Sequence, residues 1–123
     1  MAWKDHAVAP PPGVALCSFE AIPEGGCHGV TLGPLQNPLD ILLWRRQGTV
    51  RAYVNRCPHF SLPLNAQPQK FLLMSGDRIM CAWHCAVFDL QTGRCLDGPA
   101  NGMWLEELSI ALVCGQVIRP REA

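Results

Sequence analysis

Residues 40–55, "DILLWRRQGTVRAYVN", decide the fold class. Two runs rich in branched apolar residues flank Gln47-Gly48, and a two-residue connection ending in glycine is typical of a β-hairpin. Further pairs of strand-like runs are separated by turn residues: "KFLLMS" and "DRIMCAW", "AVFDL" and "RCLDG", and "EELSIALVC" and "QVIRP". Helical periodicity is nowhere sustained over about twelve residues. The sequence therefore predicts an all-β fold, an antiparallel sandwich or barrel.

Length and charge narrow the function classes. The 123 residues are near the usual size of one domain, and no repeat or linker divides them, so a single domain over residues 1–123 is expected. Basic and acidic side chains number ten each, which predicts neither a nucleic-acid nor a membrane partner. No apolar run approaches about 18 residues, and the N-terminus lacks the apolar stretch of a signal peptide. We therefore expect a cytoplasmic protein.

The seven cysteines do not form the dense framework of a small secreted fold. Cys17 and Cys114 lie in apolar, strand-like runs, "GVALCSF" and "SIALVCG", and are predicted to be buried thiols. Cys27 and His28 are adjacent, and adjacent side chains do not easily point at one metal ion, so this pair is interpreted as a loop feature. Two other cysteines have a histidine two or three residues away.

These two motifs are Cys57-x-His59 and Cys81-x-x-His84, and each follows a predicted strand. Two loops that each present one thiolate and one imidazole can meet at their tips and share a metal centre. Two of only four histidines lie beside two of the cysteines in similar apolar surroundings, which is an improbable coincidence. Two thiolates and two neutral imidazoles suit either tetrahedral zinc or an iron–sulfur cluster with mixed ligation.

Spacing distinguishes these two kinds of centre. Zinc knuckles generally begin with two cysteines separated by two to four residues. The pattern here matches the ligand set of a Rieske [2Fe–2S] centre, in which one iron takes both cysteines and the other takes both histidines. At "CPHFSLPLN" and "CAWHCAVFDLQTGRCLDGPA" the sequence resembles the Rieske ferredoxin family. The resemblance extends over roughly Val50 to Pro120.

The resemblance implies a Rieske-like fold with a small cluster-binding subdomain, formed by two loops at approximately residues 56–65 and 80–90. One [2Fe–2S] cluster would be bound there. Cys57 and Cys81 would ligate one iron, and His59 and His84 the outer iron. In the family, the histidine edge is where electrons enter and leave.

Two departures from the family concern the cluster environment. High-potential Rieske proteins of respiratory complexes carry an additional cysteine in each loop, joined as a disulfide, and Leu62 and Trp83 occupy those positions here. The same proteins use a serine and a tyrosine to hydrogen-bond sulfur, where this chain has Ala86 and Phe88. Fewer hydrogen bonds to sulfur leave the reduced cluster less stabilised. A potential of roughly −150 mV, near the low end of the Rieske range, is therefore predicted.

A third departure is Cys85, directly after the second histidine, where the family usually has glycine, commonly because the backbone there is crowded or takes positive φ. A cysteine is costly there if φ is positive. It is either a tolerated small side chain or a thiol close enough to the cluster to perturb it or to be oxidised.

The resemblance implies an electron-transfer protein and not an enzyme acting alone, because the chain leaves no room for the mononuclear iron domain of a full Rieske oxygenase. The expected function is a soluble ferredoxin carrying single electrons from a flavin- and NAD(P)H-dependent reductase to a terminal oxygenase of an aromatic-ring dioxygenase-type system. Both complexes would be transient. Two alternatives remain: a small Rieske subunit of a nitrite reductase-like oxidoreductase, and a zinc-bound structural or interaction module. The oligomeric state is not predicted.

Overall fold

The computed structural model describes residues 9–34, 36, 38–58, 62–67, 69–75, 77–83, 85–98 and 102–120. Within these residues, β-strands connected by turns dominate, so the all-β prediction is confirmed. The strands are β1 (Ala15–Ser18), β2 (Cys27–Leu32), β3 (Leu39–Arg46), β4 (Thr49–Val54), β5 (Leu72–Met74), β6 (Arg78–Met80), β7 (Val87–Asp89), β8 (Cys95–Asp97), β9 (Glu107–Leu108), β10 (Ala111–Val113) and β11 (Gln116–Ile118), with a short 3₁₀ helix at Phe19–Ala21. No helix in the described residues is both long and apolar enough to cross a bilayer.

The strands form three antiparallel sheets, with orders β1-β11-β10, β2-β3-β4-β9 and β5-β6-β7-β8. The predicted hairpin is the centre of the second sheet: β3 and β4 pair from Ile41↔Val54 to Arg46↔Thr49. Gln47 and Gly48 both have positive φ, 50° and 79°. This is the type I′ geometry that matches the twist of the flanking strands.

Strand β3 is apolar at consecutive positions because both of its faces are buried. Successive side chains of a strand point to opposite faces. Ile41 and Leu43 lie in one hydrophobic core, whereas Leu42 and Trp44 lie in another. The first core also contains Ile22, Leu39, Ala52, Val54, Leu108 and Val117. The second contains Cys27, Tyr53, Cys57, Leu64, Ile79, Cys81, Ala86, Phe88, Leu90, Cys95 and Leu105.

Strand β9 corrects the predicted closing hairpin. The run "EELSIALVC" is not one strand: β9 pairs with β4 in the central sheet, whereas β10 pairs with β11 in the sheet that contains β1. The chain passes from one sheet to the other at Ser109 and Ile110. Each short strand therefore completes a different sheet, which periodicity in a single run does not reveal.

Two cysteine predictions are also corrected. Cys114 is exposed and has a φ of 49° in the turn between β10 and β11, so the prediction of a buried thiol is wrong. Cys27 is not in a loop: it begins β2 opposite Trp44 and is buried. Burial disfavours the thiolate and raises the pKa of Cys27 to about 12. Cys17 lies in β1 and is half-buried, and its burial also raises the thiol pKa.

Candidate metal centre

The second core brings Cys57 and Cys81, both fully buried, together in one cluster of buried residues. Cys57 follows β4 of the central sheet, and Cys81 follows β6 of the β5–β8 sheet. The two sequence motifs therefore begin at the ends of strands that belong to different sheets. Their cysteines share an apolar environment although they are far apart in the chain.

Both cysteines close their loops in the same way. The Cys57 N–H donates to the Leu62 carbonyl at 2.7 Å, and the Cys81 N–H donates to the Ala86 carbonyl at 2.7 Å. Each bond joins a cysteine to the residue five positions later in the chain. A further bond runs from the Cys85 N–H to the Cys81 carbonyl, at 3.0 Å. Two loops of similar build thus hold the two thiols.

The loops are also bonded to each other. The Ala82 N–H donates to the Leu64 carbonyl at 2.8 Å, and the Trp83 indole N–H donates to the Pro63 carbonyl at 2.8 Å. Three consecutive carbonyls, of Leu62, Pro63 and Leu64, are therefore hydrogen-bond acceptors. The first closes its own loop, and the other two accept from the second loop. The segment after the first motif therefore serves as the contact between the loops.

Asn55 anchors this segment and was not identified from the sequence. It is only 6% exposed, and its side-chain oxygen accepts from the Leu64 N–H at 2.8 Å. Its amide nitrogen donates to Asn65 Oδ1 at 2.7 Å, and its backbone N–H donates to the Asp40 carbonyl at 2.8 Å. The one available signal was a polar residue directly after an apolar strand and two residues before Cys57.

The surroundings of the two thiols are apolar. Ala86 and Phe88, which by the resemblance described above stand where high-potential Rieske proteins have hydroxyl groups, are fully buried. The Tyr53 hydroxyl donates to the Leu90 carbonyl at 2.7 Å. Burial, with a smaller contribution from the charge of Glu107, raises the pKa of Tyr53 to about 12.

The pair of buried thiols fits a metal–thiolate centre. A thiolate in such apolar surroundings is costly unless a cation compensates its charge, and metal binding supplies that compensation. Within the described stretches, no group of three or more His, Cys, Asp or Glu side chains is placed to hold a metal. His59 and His84 lie outside the described residues. The two cysteines are thus brought together, and the two histidines stay predictions.

Cys85 is exposed and has a φ of 61°, so of the two reasons for a glycine at this position, crowding or positive φ, the backbone shows the second. L-residues pay about 1–2 kcal/mol for the left-handed conformation, because Cβ crowds the backbone. Glycine does not pay this cost. The cysteine therefore strains the turn that closes the second loop.

Replacing Cys85 by glycine is expected to raise the free energy of unfolding by about 1 kcal/mol, because the left-handed turn loses its Cβ. Denaturant titration of the purified protein measures this change. The matched control is Cys85→Ala, which removes the thiol but keeps Cβ, and its stability should stay near that of the original chain. An equal gain in both variants would assign the effect to the thiol.

Sequence comparison adds evidence that is independent of this geometry. A model of the family described as Rieske [2Fe-2S] domain matches residues 13–110. The chain is 33% identical over 86 residues to the 3-phenylpropionate/cinnamic acid dioxygenase ferredoxin subunit of Photorhabdus laumondii, covering 70% of this chain and 73% of that protein. It is also 33% identical over 85 residues to apoptosis-inducing factor 3 of Homo sapiens, covering 69% of this chain but only 13% of that protein.

Structural comparison agrees on the fold. The ferredoxin of carbazole 1,9a-dioxygenase from Nocardioides aromaticivorans is similar with a TM-score of 0.70, covering 90% of this chain and 100% of that one. Sequence identity is 16%, so this likeness concerns the fold alone. The predicted Rieske-like antiparallel architecture is thereby confirmed.

Proposed function

Because the chain belongs to the Rieske [2Fe–2S] domain family, we propose that it is a ferredoxin that carries single electrons to the terminal oxygenase of an aromatic-ring dioxygenase-type system. The observation that carries this proposal is the similarity to a dioxygenase ferredoxin subunit over most of both chains. The protein is then an electron-transfer component, and the catalytic step belongs to its partner. We treat residues 1–123 as a single Rieske domain, with cluster-binding loops at approximately 56–65 and 80–90.

The cofactor of this family is one Rieske-type [2Fe–2S] cluster, which supplies reversible one-electron chemistry when bound. We assign Cys57 and Cys81 as the ligands of one iron, and His59 and His84 as the ligands of the other. The hydrogen-bonded loops orient the two cysteines, and the second core excludes water around their sulfur atoms. Such an apolar environment is one of the factors that set a cluster's potential.

The surface of the two loops is suited to transient docking of redox partners. Leu62 and Trp83, one in each loop, are 39% and 49% exposed. The interfaces of short-lived electron-transfer complexes are small, so the tips of two loops provide enough surface for docking. The electron donor would be a flavin- and NAD(P)H-dependent reductase. We place the carrier in the cytoplasm, because an odd number of cysteines without the dense framework of a small secreted fold is typical of a reducing compartment.

An EPR spectrum of anaerobically purified protein after dithionite reduction, with iron and zinc analysis, tests the proposal. The expected result is a rhombic signal of low average g and two irons per chain, as one cluster of this type requires. One zinc per chain without a signal would instead support the zinc module and overturn the electron-transfer function.

The ligand assignment has a matched control within the same core. Cys95 is as buried as Cys81 and belongs to the same cluster of residues, but its thiol donates to the Asp97 carbonyl at 3.2 Å. Cys81→Ala should lose the iron, whereas Cys95→Ala should keep both iron atoms. Equal iron loss in the two variants would mean that burial, and not ligation, explains the result.

The reduction potential is expected to be low, roughly −150 mV. Ala86 and Phe88 are fully buried and have no hydroxyl group to donate to sulfur, so the reduced, more negative cluster gains less stabilisation. Redox titration followed by EPR measures the potential. A value well above zero would contradict this explanation.

A second candidate is a fixed Rieske component of a larger oxidoreductase, such as the small subunit of a nitrite reductase-like enzyme. The observation in its favour is that apoptosis-inducing factor 3, of which this chain spans 13%, contains the matching region within a much longer protein. Co-purification from the native source distinguishes the two. A stable complex with a large reductase subunit supports the fixed component, and a protein that elutes alone supports the carrier.

A further inference from the structure

Trp83 joins the two cluster-binding loops through its side chain. We propose that Trp83 is a positioning residue: its indole N–H, bonded to the Pro63 carbonyl, holds the second loop against the first and so keeps Cys81 in place relative to Cys57. This inference rests on the proposed function, because it assigns a role toward the cluster of that same site.

The first supporting observation is that the indole N–H of Trp83 is hydrogen-bonded although the side chain is half exposed. At 49% exposed, the ring gains little from burial, yet its N–H lies 2.8 Å from the Pro63 carbonyl, near the optimal length. Trp104 is 56% exposed, and its indole makes no hydrogen bond within the part of the chain that the structure describes. The buried Trp44 indole N–H also has no partner among the described residues. Among the three tryptophans that the structure describes, only Trp83 has a hydrogen-bonded indole.

The second observation is the position of the acceptor. The ring of Pro63 fixes φ and removes the backbone N–H, so the carbonyl is the one hydrogen-bonding group that this residue offers. The preceding carbonyl, of Leu62, accepts from the Cys57 N–H. Leu62 and Pro63 share a peptide unit, so a displacement of Pro63 also moves the Leu62 carbonyl. It thereby disturbs the hydrogen bond that closes the first loop. On the donor side, Trp83 is two residues after Cys81.

The third observation is that this bond is not alone. The Ala82 N–H donates to the Leu64 carbonyl, so neighbouring residues of one loop bond to neighbouring residues of the other. One bond would leave the loops free to pivot, whereas two adjacent bonds, one from the backbone and one from a side chain, restrict both separation and rotation. By the resemblance described above, Leu62 and Trp83 stand where high-potential relatives have a disulfide. A hydrogen bond from one of these positions joins the loops here.

Trp83→Phe tests the proposal, because it removes the N–H donor and keeps an aromatic ring. Loss of the visible absorbance of the cluster, in the presence of an iron chelator, should become roughly fivefold faster, the factor given by one ordinary hydrogen bond. The EPR lines of the reduced protein should broaden, because the loops sample more relative orientations. Trp104→Phe is the matched control and should leave the rate and the lines unchanged.

Trp83→Leu separates the hydrogen bond from packing of the ring. If the N–H positions the loops, the leucine and phenylalanine variants should lose the cluster at similar rates, both faster than the original chain. If the phenylalanine variant loses the cluster at the original rate and the leucine variant loses it faster, Trp83 acts through packing of its ring, and the proposal is overturned. Unchanged rates in both variants also overturn it.

Failure of the proposed function gives a different result. A wild-type protein without two irons and the EPR signal refutes the ferredoxin assignment, whatever the variants do. The bond itself is then tested by hydrogen exchange of the indole N–H groups in metal-free protein. Trp83 should exchange at least several-fold more slowly than Trp104, and equal exchange rates would show that the loops are not joined through Trp83.

Discussion

Alanine in place of Gly98 is expected to lower the free energy of unfolding by about 3 kcal/mol. Gly98 has a φ of 94°, and a Cβ there would lie 2.9 Å from the Ala86 Cα and 3.2 Å from the Cys85 carbonyl oxygen. Positive φ costs an L-residue about 1–2 kcal/mol, and overpacking adds about 1–3 kcal/mol. Both contacted atoms are backbone, so no side chain can rotate away. Denaturant unfolding measures the change.

Gly102→Ala is the control for this substitution. Gly102 has a similar φ of 88°, but a Cβ there would meet nothing within 4 Å. Its loss should be only about 1 kcal/mol, because conformational strain acts there without a clash. The difference in unfolding free energy between the two variants therefore measures the cost of the steric clash between a Cβ at position 98 and the backbone of the second loop. Losses of equal size would contradict that approach.

Iron retention should follow the same order. The Ala86 carbonyl accepts the hydrogen bond from the Cys81 N–H, so displacing Ala86 disturbs the closure of the loop that carries a proposed ligand. Gly98→Ala protein, purified anaerobically, is expected to contain less iron than Gly102→Ala protein. Glycine is required at position 98 because of a neighbour twelve residues away in the chain.

Asn55→Ala is expected to cost about 2–3 kcal/mol of unfolding free energy. The substitution leaves the Leu64 N–H without its acceptor in a buried position, and an unsatisfied buried donor costs about 1–3 kcal/mol in addition to the lost bond. Because the Leu64 carbonyl accepts from Ala82, the disturbance should also reach the second loop and speed the release of iron. Thermal or denaturant unfolding and chelator challenge measure the two effects.

Asn65→Ala provides the comparison for Asn55. It removes the acceptor of the Asn55 amide, at a partly exposed position where water can replace the lost bond. The expected loss is below about 1 kcal/mol. If both variants lose the same amount, the anchoring of Leu64 by Asn55 does not contribute as described.

The strand pattern and the cysteine motifs were available in the sequence because they depend on local chemistry. The hairpin of β3 and β4 follows from branched apolar runs around a Gln-Gly turn whose two residues adopt positive φ. For Cys85 the resemblance left two possibilities, a crowded backbone or a positive φ, and the structure shows the positive φ. The Rieske-type motifs identified the family and the cofactor, since a short spacing of thiol and imidazole groups is itself chemically specific.

Tertiary structure alone decided which residues support those motifs. Hydrophobicity indicates that a cysteine can be buried, but the sheet that covers it determines the outcome, and so Cys27 is buried while Cys114 is exposed. The hydrogen bonds from Leu64 to Asn55 and from Trp83 to Pro63 join residues 9 and 20 positions apart, without any sequence period linking them. The sequence determined the all-β class, the β3–β4 hairpin and the family. The packing of separate sheets determined the split of β9 from β10 and how the two loops are held, because such contacts exist only after the chain has folded.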